Sequence, residues 1–190
     1  MTIRDILLLG NPKLYETCSP VRQDQLVNLE SEISDLRDTL LAFRARHGVG
    51  RAIAAPQIGV MKRVVFLERV SNTTEKNDSG INTPTPLINP VLTDKSEALM
   101  ELWDDCMSFP DLLVRLRRHA TCTITYRDLG WQEHTIHLEG DLSELLQHEC
   151  DHLDGILYPQ RMTDMRLFGF NQALEASEHL TAMPCDTQPE

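Results

Sequence analysis

The run Leu145-Leu146-Gln147-His148-Glu149-Cys150-Asp151-His152-Leu153 constrains this chain more than any other segment, because on a helix it becomes a metal-hydrolase site. At 3.6 residues per turn, His148 and His152 stand one above the other on one face, close enough for both to reach a single ion. Glu149 sits beside them, and a carboxylate next to a metal and its water can take a proton and hand it to a leaving group. The plainer alternative is an amphipathic helix whose two histidines are polar surface.

The flanking residues argue for the helix independently. Asp141 is placed to cap the first amides, with Glu144 reaching back three residues later as a capping box. Leu142, Leu145, Leu146, Glu149 and Leu153 then recur at helical spacing, so Glu149 interrupts a face that otherwise heads for the core. A buried carboxylate is costly unless compensated, and a divalent cation is one such partner. Gly155 follows as the residue able to take a left-handed C-terminal conformation.

Two histidines need a third ligand. A metzincin would carry another His six residues after His152, where this chain has Tyr158. A thermolysin-like enzyme would use a later Glu, for which Glu175 and Glu178 are candidates, and an upstream cysteine is the remaining choice. Cys18, Cys106, Cys122, Cys150 and Cys185 are odd in number and contain no C-x-x-C pair, which argues against a disulfide framework or a structural zinc ribbon. Cys150 points away from the histidine face and reads as small apolar filler. Cys106 lies in Trp103-Asp104-Asp105-Cys106-Met107-Ser108-Phe109-Pro110, at the end of a strand-like stretch.

Three ordered blocks, Gly50-Arg51-Ala52-Ile53-Ala54-Ala55-Pro56-Gln57, Asp104-Asp105-Cys106-Met107-Ser108 and Gln147-His148-Glu149-Cys150-Asp151-His152-Leu153, resemble the Gly-rich loop, the E-G-C-L-S segment and the Q-H-E-x-D-H-L motif of peptide deformylases. The opening Ile6-Leu7-Leu8-Leu9-Gly10-Asn11-Pro12 is similar to that family's start, so the resemblance runs to about residue 165. It implies one divalent metal ion held by Cys106, His148 and His152, with ferrous iron (Fe2+) native and Zn2+, Ni2+ or Co2+ able to substitute. It further implies Glu149 as general base and then acid. Gln57 and the backbone N–H of Met107 are expected to donate to the developing oxyanion, and Ala52 to lie along the bound peptide. The implied activity is removal of the N-formyl group from the initiating methionine of nascent peptides, with release of formate.

The chain also departs from that family. Asp105 and Ala52 stand where the family has glycine, and if the backbone needs positive φ there each is strained by about 1 kcal/mol. Asp104 replaces the usual Glu and can still pair with Arg118. Arg51, Glu144 and Leu113 fall near the expected methionine pocket, as lining or as ordinary surface charges and a strand leucine. These departures leave room for a deformylase-like amidase with an altered substrate, or for a non-catalytic metal-binding relative.

A hydrophobic content of 41% in 190 residues suits one α+β catalytic domain over residues 1–180, with 181–190 as a disordered tail. The net charge of −11 weighs against sequence-independent nucleic-acid binding. Any ribosome contact would need a local basic patch, for which Arg161, Arg166 and the Arg115-Arg117-Arg118 cluster are candidates. The short apolar patch Ile6 to Leu9 reads as neither signal peptide nor membrane span, so a cytoplasmic location is expected, and the resemblance suggests a monomer. Leu26, Leu29, Ile33, Leu36, Leu40 and Phe43 predict a long core helix ending near His47-Gly48 rather than a coiled coil. Strands are expected over 63–68, 87–92, 99–104, 112–117, 121–128 and 132–138, forming antiparallel sheets around the metal helix. A surface loop is expected from Ser71 to Pro86 and a last helix from Thr163 to Leu180.

Overall fold

The computed structural model describes residues 2–68, 81 and 84–175. The predicted long helix is α1 (Leu26–His47), closed by Gly48 at φ 76° with its N–H on the Arg44 carbonyl at 2.8 Å. Its buried face, Leu29, Ile33, Leu36 and Leu40, packs on Ile53, Val64, Phe66 and Ile88, so it is a core helix of this chain.

Those partners belong to a five-stranded antiparallel sheet. In spatial order it runs β1 (Ala52–Ala54), β2 (Val64–Leu67), β3 (Thr85–Thr93), β6 (Thr121–Arg127) and β7 (Glu133–Glu139). A second antiparallel sheet holds β4 (Leu99–Asp104), β5 (Leu112–His119) and β8 (Phe168–Phe170), with β5 in the centre. Helix α2 (Gly140–Leu153) is buried at every residue from Leu142 to Leu153. Its leucines 142, 145, 146 and 153 enter a core with Val65, Leu67, Leu87, Ile124 and Leu138. A helix this polar can be buried all round only if its polar groups find partners. Gln147 illustrates this: Oε1 accepts from the His119 N–H at 3.1 Å, and Nε2 donates to the His119 and Ser143 carbonyls.

Several expectations need correction. The stretch at 52–54, read as part of a loop, is an edge strand pairing Ala52 with Leu67. Asp141 does not cap α2. The chain enters the helix from β7 through Glu139, Gly140 at φ 53° donates its N–H to the Ala120 carbonyl, and Asp141 lies in the first turn, where a carboxylate complements the helix dipole. Glu144 turns to Arg51 instead of back to the cap.

The long last helix expected from Thr163 is also absent as such. A short 3₁₀ turn (Met165–Leu167) leads into β8, because the edge of β5 offers free backbone partners to Phe168 and Phe170, and Phe168 packs into the core beside Tyr158. Helix α3 (Asn171–Glu175) starts only after that strand. Residues 176–180 of the expected helix, the tail at 181–190 and most of the Ser71 to Pro86 loop lie outside the described residues, though Thr85 and Pro86 are strand residues of β3. No described helix is long and apolar enough to cross a membrane.

Neither Asp105 nor Ala52 has positive φ, so the condition for backbone strain at these two positions is not met. Among the described residues, the non-glycine positions with positive φ are Asn89, Asp94, Asp111 and Trp131.

Candidate metal centre

Three segments distant in sequence meet at the face of α2. Cys106 follows the end of β4 in a turn closed by the Phe109 N–H on the Cys106 carbonyl at 2.9 Å. Gln57 sits in the 3₁₀ turn Ala55–Ile58, which Gly59 ends in a left-handed conformation. The N-terminal segment straps both loops, since Leu7 N–H bonds the Gln57 carbonyl at 2.7 Å and Leu9 N–H the Ser108 carbonyl at 3.0 Å.

The Cys106 Sγ lies 3.2 Å from His152 Nε2. One donor atom each from Cys106, His148 and His152 falls within 4.8 Å of the others, and all three residues are buried. Among the described residues they form a group able to hold a metal ion. In a tetrahedral site with metal–sulfur near 2.3 Å and metal–nitrogen near 2.05 Å, sulfur and nitrogen would lie about 3.5 Å apart, so the observed spacing fits.

Polar neighbours fix the imidazoles. His148 Nδ1–H donates to Asp104 Oδ1 at 2.9 Å, which leaves Nε2 as the open lone pair. Asp104 Oδ2 accepts from Arg118 Nη2 at 2.7 Å and Nε at 3.1 Å. Arg118 Nη1 reaches Asp151 Oδ2 at 3.0 Å, and Asp151 is gripped from outside by Arg161. Burial opposes charge on His148, but the Asp104 carboxylate prevails and raises its pKa well above the usual value, so a metal taking Nε2 must displace a proton there. At His152 burial and the His148 charge act together and hold its pKa well below the usual value. His152 Nδ1 is buried without a hydrogen-bond partner among the described residues.

Glu149 is 4% exposed, and its Oε2 also has no hydrogen-bond partner among the described residues. Burial pushes its carboxyl up to about 7, in the range where a carboxyl can both accept and return a proton near neutral pH. A cation beside it acts in the opposite sense. Gln57 is oriented by its own turn: Oε1 accepts from the Ala54 N–H at 2.8 Å, so Nε2 is turned toward Ser108 Oγ at 3.3 Å and Cys106 Sγ at 3.5 Å. Met107 and Ala52 line the same cavity, of about 410 Å³, as Gln57, Cys106, His148 and Glu149.

Two site residues escaped the sequence reading. Ser108 is fully buried, donates its N–H to Cys106 Sγ at 3.5 Å and receives Gln57 Nε2. Tyr158 stacks on His148 with ring centroids 5.8 Å apart and donates its hydroxyl to the Leu112 carbonyl. Ser108 is visible in the sequence as a polar residue next to Cys106 and Met107, whereas no local pattern marks Tyr158. The plain surface reading is corrected for Glu144, which is buried, whereas Arg51 is both exposed and paired with it at the cavity. Arg118 leaves the list of basic surface residues because it is 4% exposed.

A family model described as polypeptide deformylase matches residues 3–167. Peptide deformylase 1 of Prochlorococcus marinus is 38% identical over 93% of this chain and 90% of its own length. Peptide deformylase of Leptospira biflexa is 33% identical over 95% and 99%. Among solved structures, peptide deformylase from Thermotoga maritima superimposes with a TM-score of 0.71 at 27% identity, covering 86% of this chain and all of that one. The Synechococcus elongatus peptide deformylase in complex with actinonin gives 0.73 at 25% identity, covering 90% and 84%. The chain therefore belongs to the polypeptide deformylase family, metal-dependent hydrolases that take the formyl group from an N-terminal methionine.

Proposed function

We propose that this chain hydrolyses the formyl amide at the amino terminus of nascent peptides, using one divalent ion held by Cys106, His148 and His152, with ferrous iron as the native metal. The mixed thiolate and imidazole donor set suits iron, zinc, nickel or cobalt. Bound there, such an ion would lower the pKa of a water in its fourth position and polarise the formyl carbonyl.

The chain's own groups do the rest. Glu149, desolvated and with an uncommitted oxygen, takes the proton of the attacking water and returns it to the departing amine. Gln57 donates from Nε2 to the oxygen on which negative charge develops, joined by the Met107 backbone N–H. Because the Ala54 N–H already holds Gln57 Oε1, this donor is oriented before substrate arrives and needs no reorganisation during reaction. Asp104 holds His148 in the tautomer that leaves Nε2 free, and Arg118 holds Asp104. Ala52 supplies an extended edge along which the peptide backbone can lie.

The observation that carries this reading is the convergence of Cys106 Sγ with the two imidazoles beside a cavity that Glu149 also lines, its buried Oε2 without a hydrogen bond among the described residues. Formate release from a formyl-methionyl peptide, measured with iron-, nickel- and cobalt-loaded protein, tests it. Activity in at least one form, lost in Glu149→Gln with metal retained, is the expected result. Inactivity in every metal form overturns it.

A further inference from the structure

A separate cavity of about 250 Å³ lies against a stripe of α2 that carries none of the metal ligands. Gln147, Cys150 and Asp151 form that stripe, with Asp154 just past the helix end. The remaining walls come from the end of β3, from β5 and from the 3₁₀ turn Tyr158–Arg161. No lining residue is shared with the cavity at Cys106.

The charge of this cavity opposes that of the chain. Arg63, Lys95, Arg117, Arg118 and Arg161 line it against two carboxylates, Asp151 and Asp154, in a protein of net charge −11. Asp151 is shared between Arg118 and Arg161, and Asp154 takes Arg63 Nη1 at 2.5 Å. Two further carboxylates stand behind the wall. Asp104 is divided between Arg118 and His148, and Glu101 pairs with Arg115 and lies 3.8 Å from Arg117 Nε. The exposed Lys95 ammonium has no ion pair among the described residues. Arg161 spends Nε and Nη2 on Asp151, so the Nη1 donors are uncommitted among the described residues. Arg118 is only 4% exposed, where water screens its charge poorly.

An anion entering this cavity meets cationic donors from four separate segments. A tetrahedral oxyanion can accept from several walls at once, and guanidinium forks match its oxygen pairs, whereas a carboxylate offers two oxygens in one plane. The volume falls below the range of about 300–1,000 Å³ usual for organic ligands. His119 is the one ring in the lining among the described residues, and its Nδ1 is engaged by the Ser96 carbonyl at 2.6 Å, so a nucleobase finds little to stack on. We propose that this cavity is a binding site for a tetrahedral oxyanion of the phosphate class, as the free ion or as the phosphoryl tip of a small phosphomonoester.

The test is calorimetric titration of inorganic phosphate, sulfate, glycerol 3-phosphate and acetate into the cobalt-loaded full chain at constant ionic strength. The visible spectrum of the cobalt, recorded alongside, shows whether an anion reaches the metal instead. Phosphate and sulfate are expected to bind one site with a Kd of about 1 mM or tighter, acetate about tenfold more weakly or worse, with the spectrum unchanged. Lys95→Gln should weaken phosphate binding by about threefold to tenfold, and Lys95→Gln/Arg161→Gln by about tenfold or more. Arg166→Gln removes an exposed charge outside the cavity and should leave binding as it is. Melting curves check the folding of each variant, and Lys95→Gln breaks no ion pair among the described residues. Glycerol 3-phosphate binding as tightly as phosphate supports a phosphoryl tip as the ligand, and weaker binding supports the free ion. A Kd above about 10 mM for both phosphate and glycerol 3-phosphate overturns the proposal. Equal weakening in Lys95→Gln and Arg166→Gln, or binding that tracks a change in the cobalt spectrum, also overturns it.

Discussion

Replacing Arg118 by Met tests the support beneath the metal centre. Arg118 is 4% exposed and lies between Asp104, 5% exposed, and Asp151, with contacts of 2.7, 3.0 and 3.1 Å. Methionine fills the volume of the stem but leaves the Asp104 carboxylate buried with only His148 as partner. Removing one member of a buried pair costs about 3–5 kcal/mol, mostly the penalty on the charge left behind. For a domain of this size each kcal/mol shifts Tm by about 2–4 °C, so a loss of roughly 10 °C is expected. Loosening Asp104 also loosens the tautomer of His148, and groups that orient metal ligands change affinity by about 10- to 100-fold. Arg118→Met/Asp104→Asn, which removes both charges, should recover part of the Tm but not the metal affinity. Thermal unfolding of the metal-loaded protein and competition against a chelator measure the two effects. A Tm within about 3 °C of wild type, together with unchanged metal affinity, would refute the argument that Arg118 holds the site.

Three further outcomes follow from the geometry. Gly155 lies at φ 71°, and an added Cβ would fall 2.5 Å from the Tyr15 carbonyl oxygen, so Gly155→Ala should cost at least about 2 kcal/mol, read as a Tm loss of several degrees. Gln57→Ala should lower kcat by about 100- to 1000-fold with metal content unchanged; an effect on KM alone would remove Gln57 from the oxyanion role. Burial pushes the Cys18 thiol up to about 11 and raises those of Cys122 and Cys150, so none of the three should be alkylated in the folded protein at pH 8, as mass spectrometry after trapping can show.

The α1 pattern was legible because its apolar residues repeat with the helical period and Gly48 marks the stop. Strands β2 to β7 were legible in position, but not which sheet each would join, since hydrophobic alternation carries no information about partners. β1 was hidden because Ala52 and Ala54 have little strand propensity and owe their extended form to pairing with Leu67 and Val65. β8 was hidden for the same reason, as Phe168-Gly169-Phe170 becomes a strand only against the edge of β5. The start of α2 misled because a nearby Asp and Glu satisfy a local capping pattern, whereas the Ala120 carbonyl and Arg51 claim the groups concerned. At the site, the helical interval placed His148 beside His152 and donor chemistry made Cys106 a candidate third ligand, while the resemblance fixed that choice and brought in Gln57, which no local spacing connects to the helix. The Asp104–Arg118 pairing was foreseen, but its extension to Asp151 and Arg161 depends on packing between α2 and β5.

X-ray absorption at the metal edge, on protein loaded with one equivalent of iron or cobalt, tests the central claim most directly. One sulfur at about 2.3 Å and two imidazole nitrogens at about 2.0–2.1 Å are expected, with the sulfur contribution absent in Cys106→Ser. A metal bound without sulfur, or a sulfur signal that survives Cys106→Ser, would contradict the account.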